Sequence, residues 1–330
     1  MTILVTGGAG FIGSHLVDQL IRAGHRTLIL DKLTYAGDPA NLEQALGTGQ
    51  AELVKGDICD QPLVEELLHT RKITQVFHLA AESHVDNSIE DASPFLKTNV
   101  LGTASLLEAS RSYLASSTTS DATRQAFRFL HVSTDEVYGH LSEEDEPFSE
   151  TTAYRPNSPY SASKASSDHL ARAWFVTYGL PVIITNCSNN YGPRQHREKL
   201  IPTIIRKALA GEPIPLYGDG RNIRDWLYVA DHAAGLIAAT AKGVPGETYC
   251  FGGACEKRNV DIAREICAIL DELRPSSTGA PYSDQITFVE DRKGHDWRYA
   301  IDCAKAENQL GFSGTGTFSQ HLRETVRSYL

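Results

Sequence analysis

No apolar run in this chain approaches the ~18 residues that a membrane span requires, so no transmembrane segment is expected. Positive charge is also scarce: 31 Lys and Arg stand against 41 Asp and Glu, a formal net charge of −10. That balance opposes attraction to nucleic acid or an anionic membrane surface, and any anionic ligand must be held by locally arranged donors. The six cysteines (Cys59, Cys187, Cys250, Cys255, Cys267, Cys303) form no CxxC pair and have no histidines at zinc-ligand spacing. No metal site is expected, and the thiols read as inert groups in a reducing compartment. The opening MTILVTGGAG lacks the charged and apolar regions of a secretory signal, so the expected location is the cytoplasm. Repeats and low-complexity tracts are missing too. What remains is a chain of 330 residues, 41% hydrophobic and 22% charged, the composition of a globular protein of about two domains.

Short apolar β-branched runs alternate with amphipathic stretches through the first half. This predicts an α/β fold, a Rossmann-type doubly wound parallel sheet, with strands at residues 3–6, 26–30, 52–55, 75–79, 129–132 and 182–185. Residues 115–126, rich in Ser, Thr and Asp, read as a surface loop. From about Asn189 the pattern breaks, with Pro193, Pro202, Gly211, Pro213, Pro215, Gly218 and Gly220 punctuating short pieces. A smaller α/β substrate domain is expected there, interleaved with the first because a strand near 247–251 can return to the main sheet. The expected division is 1–188 plus about 227–252 for the first domain, and about 189–226 plus 253–330 for the second.

The run at residues 3–6 leads into Gly7-Gly8-Ala9-Gly10-Phe11-Ile12-Gly13 and then an amphipathic stretch containing Leu16, Leu20 and Ile21. Glycines at 7, 10 and 13 permit a sharp turn, leave the backbone bare for a pyrophosphate and open a helix whose N–H groups and dipole face it. The second predicted strand is followed by Asp31, whose carboxylate can accept from both ribose hydroxyls and would repel a 2′-phosphate, so NAD is expected over NADP. Asp57-Ile58 flank an adenine or simply end a strand.

The fifth predicted strand runs into Ser133-Thr134-Asp135-Glu136-Val137-Tyr138-Gly139, at the carboxyl edge where open α/β sheets bind ligands. Adjacent carboxylates point to opposite faces of a continuing strand, so Asp135 and Glu136 serve one site only if the chain turns there; otherwise they are solvated loop charges. Tyr160 and Lys164 form Y-x-x-x-K in a stretch (162–175) of helical periodicity, which puts both on one face. A lysine ammonium near a phenol lowers its pKa toward neutrality, making a base for a secondary alcohol. Thr134 would share the alcohol's hydrogen bond, and Lys164 could hold a nicotinamide ribose.

On TGGAGFIGSH (6–15), HLAAESHVD (78–86), STDEVYG (133–139), SPYSASKASSDHL (158–170), TNCSNNYGP (185–193), EKLIP (198–202), IRDWLYVADH (223–232) and DRKGHDWRYAID (291–302), the chain resembles the extended short-chain dehydrogenase/reductase family across almost its whole length. The resemblance is strongest to its nucleotide-glucose 4,6-dehydratases. Asp135-Glu136 is the diagnostic pair, since 4-epimerases of the family usually carry small residues there, and GDP-mannose dehydratases keep the glutamate beside a serine. The resemblance implies that Tyr160 deprotonates the sugar C4 hydroxyl while NAD takes the C4 hydride. Glu136 would then remove the C5 proton and a neutral Asp135 would protonate the departing C6 hydroxyl. It further implies cofactor contacts at Lys32, Leu33, Thr34, Leu79, Ala80, Ala81, Ser83, Asn99 and Asn190. Substrate contacts are implied at Ser83, Thr134, Asn189, Lys199, Leu200, Pro215, Leu216, Tyr217, Arg224, Asn259, Asp291 and His295. The expected substrate is dTDP-glucose, with UDP-glucose or another nucleotide hexose as the alternative and an epimerase or non-catalytic NAD binder further off. Amphipathic stretches at 95–114 and 162–178 are expected to pair across a two-fold axis as a four-helix homodimer interface, unless they are buried within the monomer. Two departures from the family pattern stand near the substrate side, Asn87 after HVD and Gln195-His196-Arg197.

Overall fold

The computed structural model describes residues 2–291 and 294–330; Arg292 and Lys293 of the 291–302 motif lie outside them. Strands β1 (Thr2–Thr6), β2 (Arg26–Asp31), β3 (Ala51–Lys55), β4 (Ile73–His78), β5 (Arg128–Thr134) and β6 (Val182–Cys187) form one parallel sheet in the order 3-2-1-4-5-6. Strand residues alternate between two cores: Ile3 and Val5 pack on one side with Leu16, Leu20 and Leu236, while Leu4 packs on the other with Leu28, Leu106 and Phe129. A sheet covered on both faces in this way needs strands that are apolar nearly throughout, which is how they read in the sequence.

After β6 the chain leaves this sheet. β7 (Asn189–Tyr191), β9 (Ile223–Tyr228) and β11 (Glu256–Arg258) make a three-stranded sheet, and β8 (Ile214–Tyr217) pairs with β12 (Ile286–Val289). Between them, β10 (Thr248–Phe251) returns to pair with β6 as the seventh strand of the main sheet. A third core under the smaller sheets gathers Ile201, Ile204, Ile214, Leu216, Ile262, Ile266 and Leu322.

Two local readings need correction. The loop expected at 115–126 contains a helix, Asp121–Ala126, because Ser120 caps it by accepting from the Thr123 N–H at 3.1 Å. The amphipathic stretch at 95–114 is not one regular helix: residues Leu96–Gly102 are π-helical before the α-helix Thr103–Ala115. The helix Pro159–Tyr178 starts earlier than its periodicity suggests, on a reciprocal Ser158–Ser161 capping box with proline in the first turn, and it stops at Gly179 with φ +69°. Tyr160 is thereby fixed in the first turn. Among the described residues, no helix is long and apolar enough to cross a membrane.

Candidate active site

The carboxyl ends of β1, β2, β4, β5 and β6 open onto one cleft. Gly7 ends β1 with φ +71°, and a Cβ there would lie 2.7 Å from the Ala80 nitrogen. Gly13, in the helix Phe11–Arg22, presses so closely on the turn that a Cβ would lie 2.2 Å from the Gly7 carbonyl oxygen. Gly10 is the N-cap and brings no side chain, leaving the first helical turn open beside Phe11 and Ile12. Gly13→Ala should therefore cost about 1–3 kcal/mol of stability by overpacking and leave the purified protein without bound dinucleotide, as thermal unfolding and cofactor absorbance would register.

Asp31 ends β2 and is buried. Its Oδ2 accepts from the Ala9 N–H at 2.9 Å and its Oδ1 from the Leu33 N–H at 2.8 Å, so the carboxylate is fixed while each oxygen keeps a lone pair for a hydroxyl. Lys32 pairs with Asp57 at 2.8 Å. Lys32, Thr34, Asp57, Ile58, Leu79, Ala80, Ala81 and Ser83 all line the cleft. Leu33 and Asn99 do not line it, and both act as braces. Leu33 adopts φ +55° to aim its N–H at Asp31, and Asn99, buried on the π-helical stretch, ties both backbone groups of Glu82 and the Ser163 hydroxyl.

At Thr134 the strand ends and the chain turns into a single 3-10 turn, Asp135–Tyr138. This bend lets both carboxyl-bearing residues line the same cleft as Thr134, Tyr160 and Lys164. The Thr134 hydroxyl accepts from the Glu136 N–H and donates to Asp135 Oδ1, each at 3.3 Å. Asp135 is 2% exposed, and its Oδ2 meets no hydrogen-bond partner among the described residues. Burial, then the charges of Glu136 and Asp225, push its carboxyl well above the usual range, against weaker pulls from Arg224 and Thr134. The direction of this shift favours the protonated acid.

Lys164 donates to the Val132 carbonyl at 2.7 Å and is 5% exposed, and burial lowers its pKa. The expectation that Lys164 lowers the Tyr160 phenol is not met by this arrangement. Burial, then Glu136, push the phenol well above its ordinary value, and only the Thr134 hydrogen bond pulls it down. Spacing brought the lysine onto the same face but carried no information on desolvation or on the acids opposite.

The predicted substrate residues fall into two groups. Ser83, Thr134, Asn189, Asn190 and Lys199 line the cleft, with the Lys199 Nζ donating to the Ser83 carbonyl at 3.0 Å. Asn190 is held at both ends, by His232 Nδ1 at 2.9 Å and the Ser188 carbonyl at 3.0 Å, whereas the buried Asn189 Oδ1 has no partner among the described residues. Arg224 is buried on β9, stacked 4.4 Å over the Tyr299 ring, with donors on the Ile223, Asp296 and Trp297 carbonyls. Tyr217 faces His295 edge-on, and His295 Nδ1 lies 2.6 Å from Asp291. Asn259 opens the helix Asn259–Leu273 with a buried Oδ1 that has no partner among the described residues. Leu200 opens the helix Leu200–Ala210 and packs partly against the third core. Leu216 is a correction: along β8, Ile214 and Leu216 point into that core while Pro215 and Tyr217 are exposed, so only Leu216 backbone can meet a ligand.

Gln195 and His196, placed near the substrate side by their departure from the family pattern, line the cleft; sequence reasoning missed Glu82, which also lines it, and Asp225, buried close enough to raise Asp135. Glu82 was legible as an acid at the end of an apolar strand, inside the 78–86 motif.

The sequence model of the family described as GDP-mannose 4,6 dehydratase matches residues 4–325. A dTDP-glucose 4,6-dehydratase of Xanthomonas campestris pv. campestris is 54% identical over 329 residues, covering 100% of this chain and 93% of that protein. One of Salmonella typhimurium is 50% identical over 339 residues, again covering 100% and 93%. The chain belongs to this family of nucleotide-sugar dehydratases. Among solved members, the dTDP-glucose 4,6-dehydratase of Streptomyces venezuelae, with NAD and dTDP bound, superposes with a TM-score of 0.89 at 44% identity and covers 100% of this chain and 97% of that one. A UDP-glucose 4-epimerase of Thermus thermophilus with NAD reaches a TM-score of 0.86 at 29% identity over 100% and 99% of the two chains. The family fold alone therefore does not separate dehydration from epimerisation.

Proposed function

We propose that the protein is an NAD-dependent dTDP-glucose 4,6-dehydratase that converts dTDP-α-D-glucose to dTDP-4-keto-6-deoxy-D-glucose and water. The observation that carries this reading is Asp135, buried with its carboxyl pushed well above the usual range, beside Glu136 in the same cleft as the dinucleotide cradle. The residues fit NAD: the Gly7 and Gly13 turn tolerates no Cβ, Asp31 presents fixed acceptors, and Asn189 Oδ1 lacks a partner among the described residues. What NAD supplies when bound is a positively charged hydride acceptor for C4 that later serves as a hydride donor to C6.

Tyr160 acts as its phenolate, which the Lys164 ammonium would favour against burial and Glu136, and with Thr134 sharing the hydrogen bond it takes the C4 hydroxyl proton. Once C4 is a ketone, the C5–H is acidic and Glu136 removes it. Asp135 gives its proton to the C6 hydroxyl, which leaves as water, Glu136 returns a proton to C5 after C6 is reduced, and exchange with solvent passes the Tyr160 proton out and restores that of Asp135. Lys199, Arg224, Asn259, Tyr217 and His295 are proposed to hold the nucleotide and its diphosphate, with Lys199 and Arg224 supplying the positive charge.

The test is incubation with dTDP-glucose, and separately UDP-glucose, in deuterated water without added NAD, followed by NMR. A 4-keto-6-deoxy product from dTDP-glucose with deuterium at C5 is expected. Conversion of UDP-glucose alone overturns the nucleotide, and a galactose epimer without deuterium overturns the dehydration.

We place the protein in the cytoplasm, a reading supported by six unpaired cysteines. We also propose a homodimer, supported by exposed Leu96 and Leu101 on the π-helical stretch and Val176 and Tyr178 on the long helix. Leu101→Glu should yield monomers in analytical ultracentrifugation; an unchanged dimer would place the interface elsewhere.

A further inference from the structure

Asp168 lies one helical turn beyond Lys164 on the helix Pro159–Tyr178, which puts both side chains on one face. It is 2% exposed, and none of the steps above uses it. Four donors converge on its carboxylate. Oδ2 accepts from the Ser133 hydroxyl at 2.8 Å, the Tyr154 phenol at 2.9 Å and the Asn186 amide at 3.4 Å, while Oδ1 lies 3.0 Å from His131 Nε2. A site so supplied with donors fits an ionised carboxylate, which only accepts. The same donors reach the catalytic strand end, because Ser133 precedes Thr134 and the Asn186 amide also donates to the Thr134 carbonyl at 3.0 Å.

The groups facing Lys164 narrow the source of its counter-charge. On β4 and β5, His78 and His131 are fully enclosed and held neutral by burial, and the lysine charge lowers both further. Cys187 on β6 is a thiol that burial pushes above its ordinary range, and burial likewise raises Tyr160, which bears the reacting proton. Around Asp168 itself stand Tyr138 and Tyr154, both raised by burial and so neutral. Asp135 and Glu136 stand on the 3-10 turn beside Tyr160 and Cys187, where burial and the Glu136 charge raise Asp135 and Glu136 is the base proposed for C5. We infer that Asp168 is the buried counter-ion of Lys164, a positioning residue that keeps the lysine an ammonium at the reacting alcohol. Burial lowers the Lys164 pKa, and the Asp168 charge is the largest influence opposing it.

This inference deepens the proposed function, since it rests on Lys164 acting as a cation beside Tyr160, yet its test needs no turnover. Asp168→Asn keeps the shape and most of the hydrogen bonding, with His131 free to switch tautomer. In protein carrying 13C at lysine Cε, with the Lys164 signal assigned by its loss in Lys164→Met, the Lys164 midpoint should fall by ~1–3 pH units in Asp168→Asn. The loss of kcat in Asp168→Asn should also vanish in the Lys164→Met background. An unmoved midpoint in folded Asp168→Asn, or an equal kcat loss in both backgrounds, overturns the assignment and leaves Asp168 a packing residue. Should Asp168→Asn fail to fold, Asp168→Glu decides: it keeps the charge, so a wild-type midpoint is expected and a fall overturns the inference. Failure to turn over dTDP-glucose would touch the proposed function and leave the lysine titration standing.

Discussion

Glu136→Gln is expected to split the reaction at its middle. Tyr160, Lys164 and Thr134 remain, so C4 is still oxidised, but no base is left to take the C5 proton. Removal of a positioned general base costs roughly 10²–10⁴ in rate, and kcat should fall by that factor while substrate affinity changes little. Reduced cofactor should then accumulate on the enzyme during a single turnover, visible in its absorbance, and the sugar recovered from deuterated water should carry no deuterium at C5. Deuterium entering C5 at the wild-type rate would transfer the base role to another group. The effect is expected to be large because the 3-10 turn at Asp135–Tyr138 separates the two acids by role. Asp135 is enclosed, and burial with the neighbouring charges favours its proton, so the proposed base is Glu136.

What the sequence revealed of this site follows the range of the interactions involved. The glycine turn, Asp31 and the Tyr160–Lys164 pair are local patterns whose geometry is set within a few residues by a strand end or a helix face, and each lies where its spacing predicts. The same holds for the parallel sheet, because strands covered on both faces must be apolar throughout. Legibility ends where partners come from distant strands. Asp168 looks like a surface helix residue until β5 and β6 bring His131, Ser133 and Asn186 to it across sequence separations of 37, 35 and 18 residues. Asp225 is similar: its carboxylate is bonded to the Gly253 and Cys255 N–H groups and influences Asp135, which lies far away in the chain. Family resemblance transferred positions but not side-chain directions, which is why Leu216 was expected at a ligand and is found in a core. It also could not report the burial that raises the Tyr160 phenol.

Asp135→Asn is expected to show a loss of activity joined to a gain of stability. The amide keeps the size of the side chain but cannot deliver a proton to the C6 hydroxyl, so kcat should drop by about 10²–10³, within the range for a lost general acid. Glu136 still works in this variant, so deuterium exchange at C5 should survive while water loss does not, the reverse of the pattern in Glu136→Gln. In the wild-type enzyme the same chemistry sets an alkaline limit, since activity falls as Asp135 gives up its proton. The stability effect follows from the direction of the shift. A carboxyl whose pKa is raised on folding binds its proton more tightly in the native state, so its contribution is fully present below the unfolded value of about 4 and is lost as pH rises toward the raised native value. Burial is the main cause of that shift, with the Glu136 and Asp225 charges adding to it. Asp135→Asn has no proton to lose, so its urea midpoint should overtake that of the wild type increasingly between about pH 4 and neutrality. Parallel midpoints across that range would mean that Asp135 ionises normally when folded, and would remove it as the acid that expels the C6 hydroxyl. A reaction that must expel hydroxide at neutral pH needs a proton donor buried enough to hold its proton, and the instability of that burial is expected to appear in the same residue that supplies the catalysis.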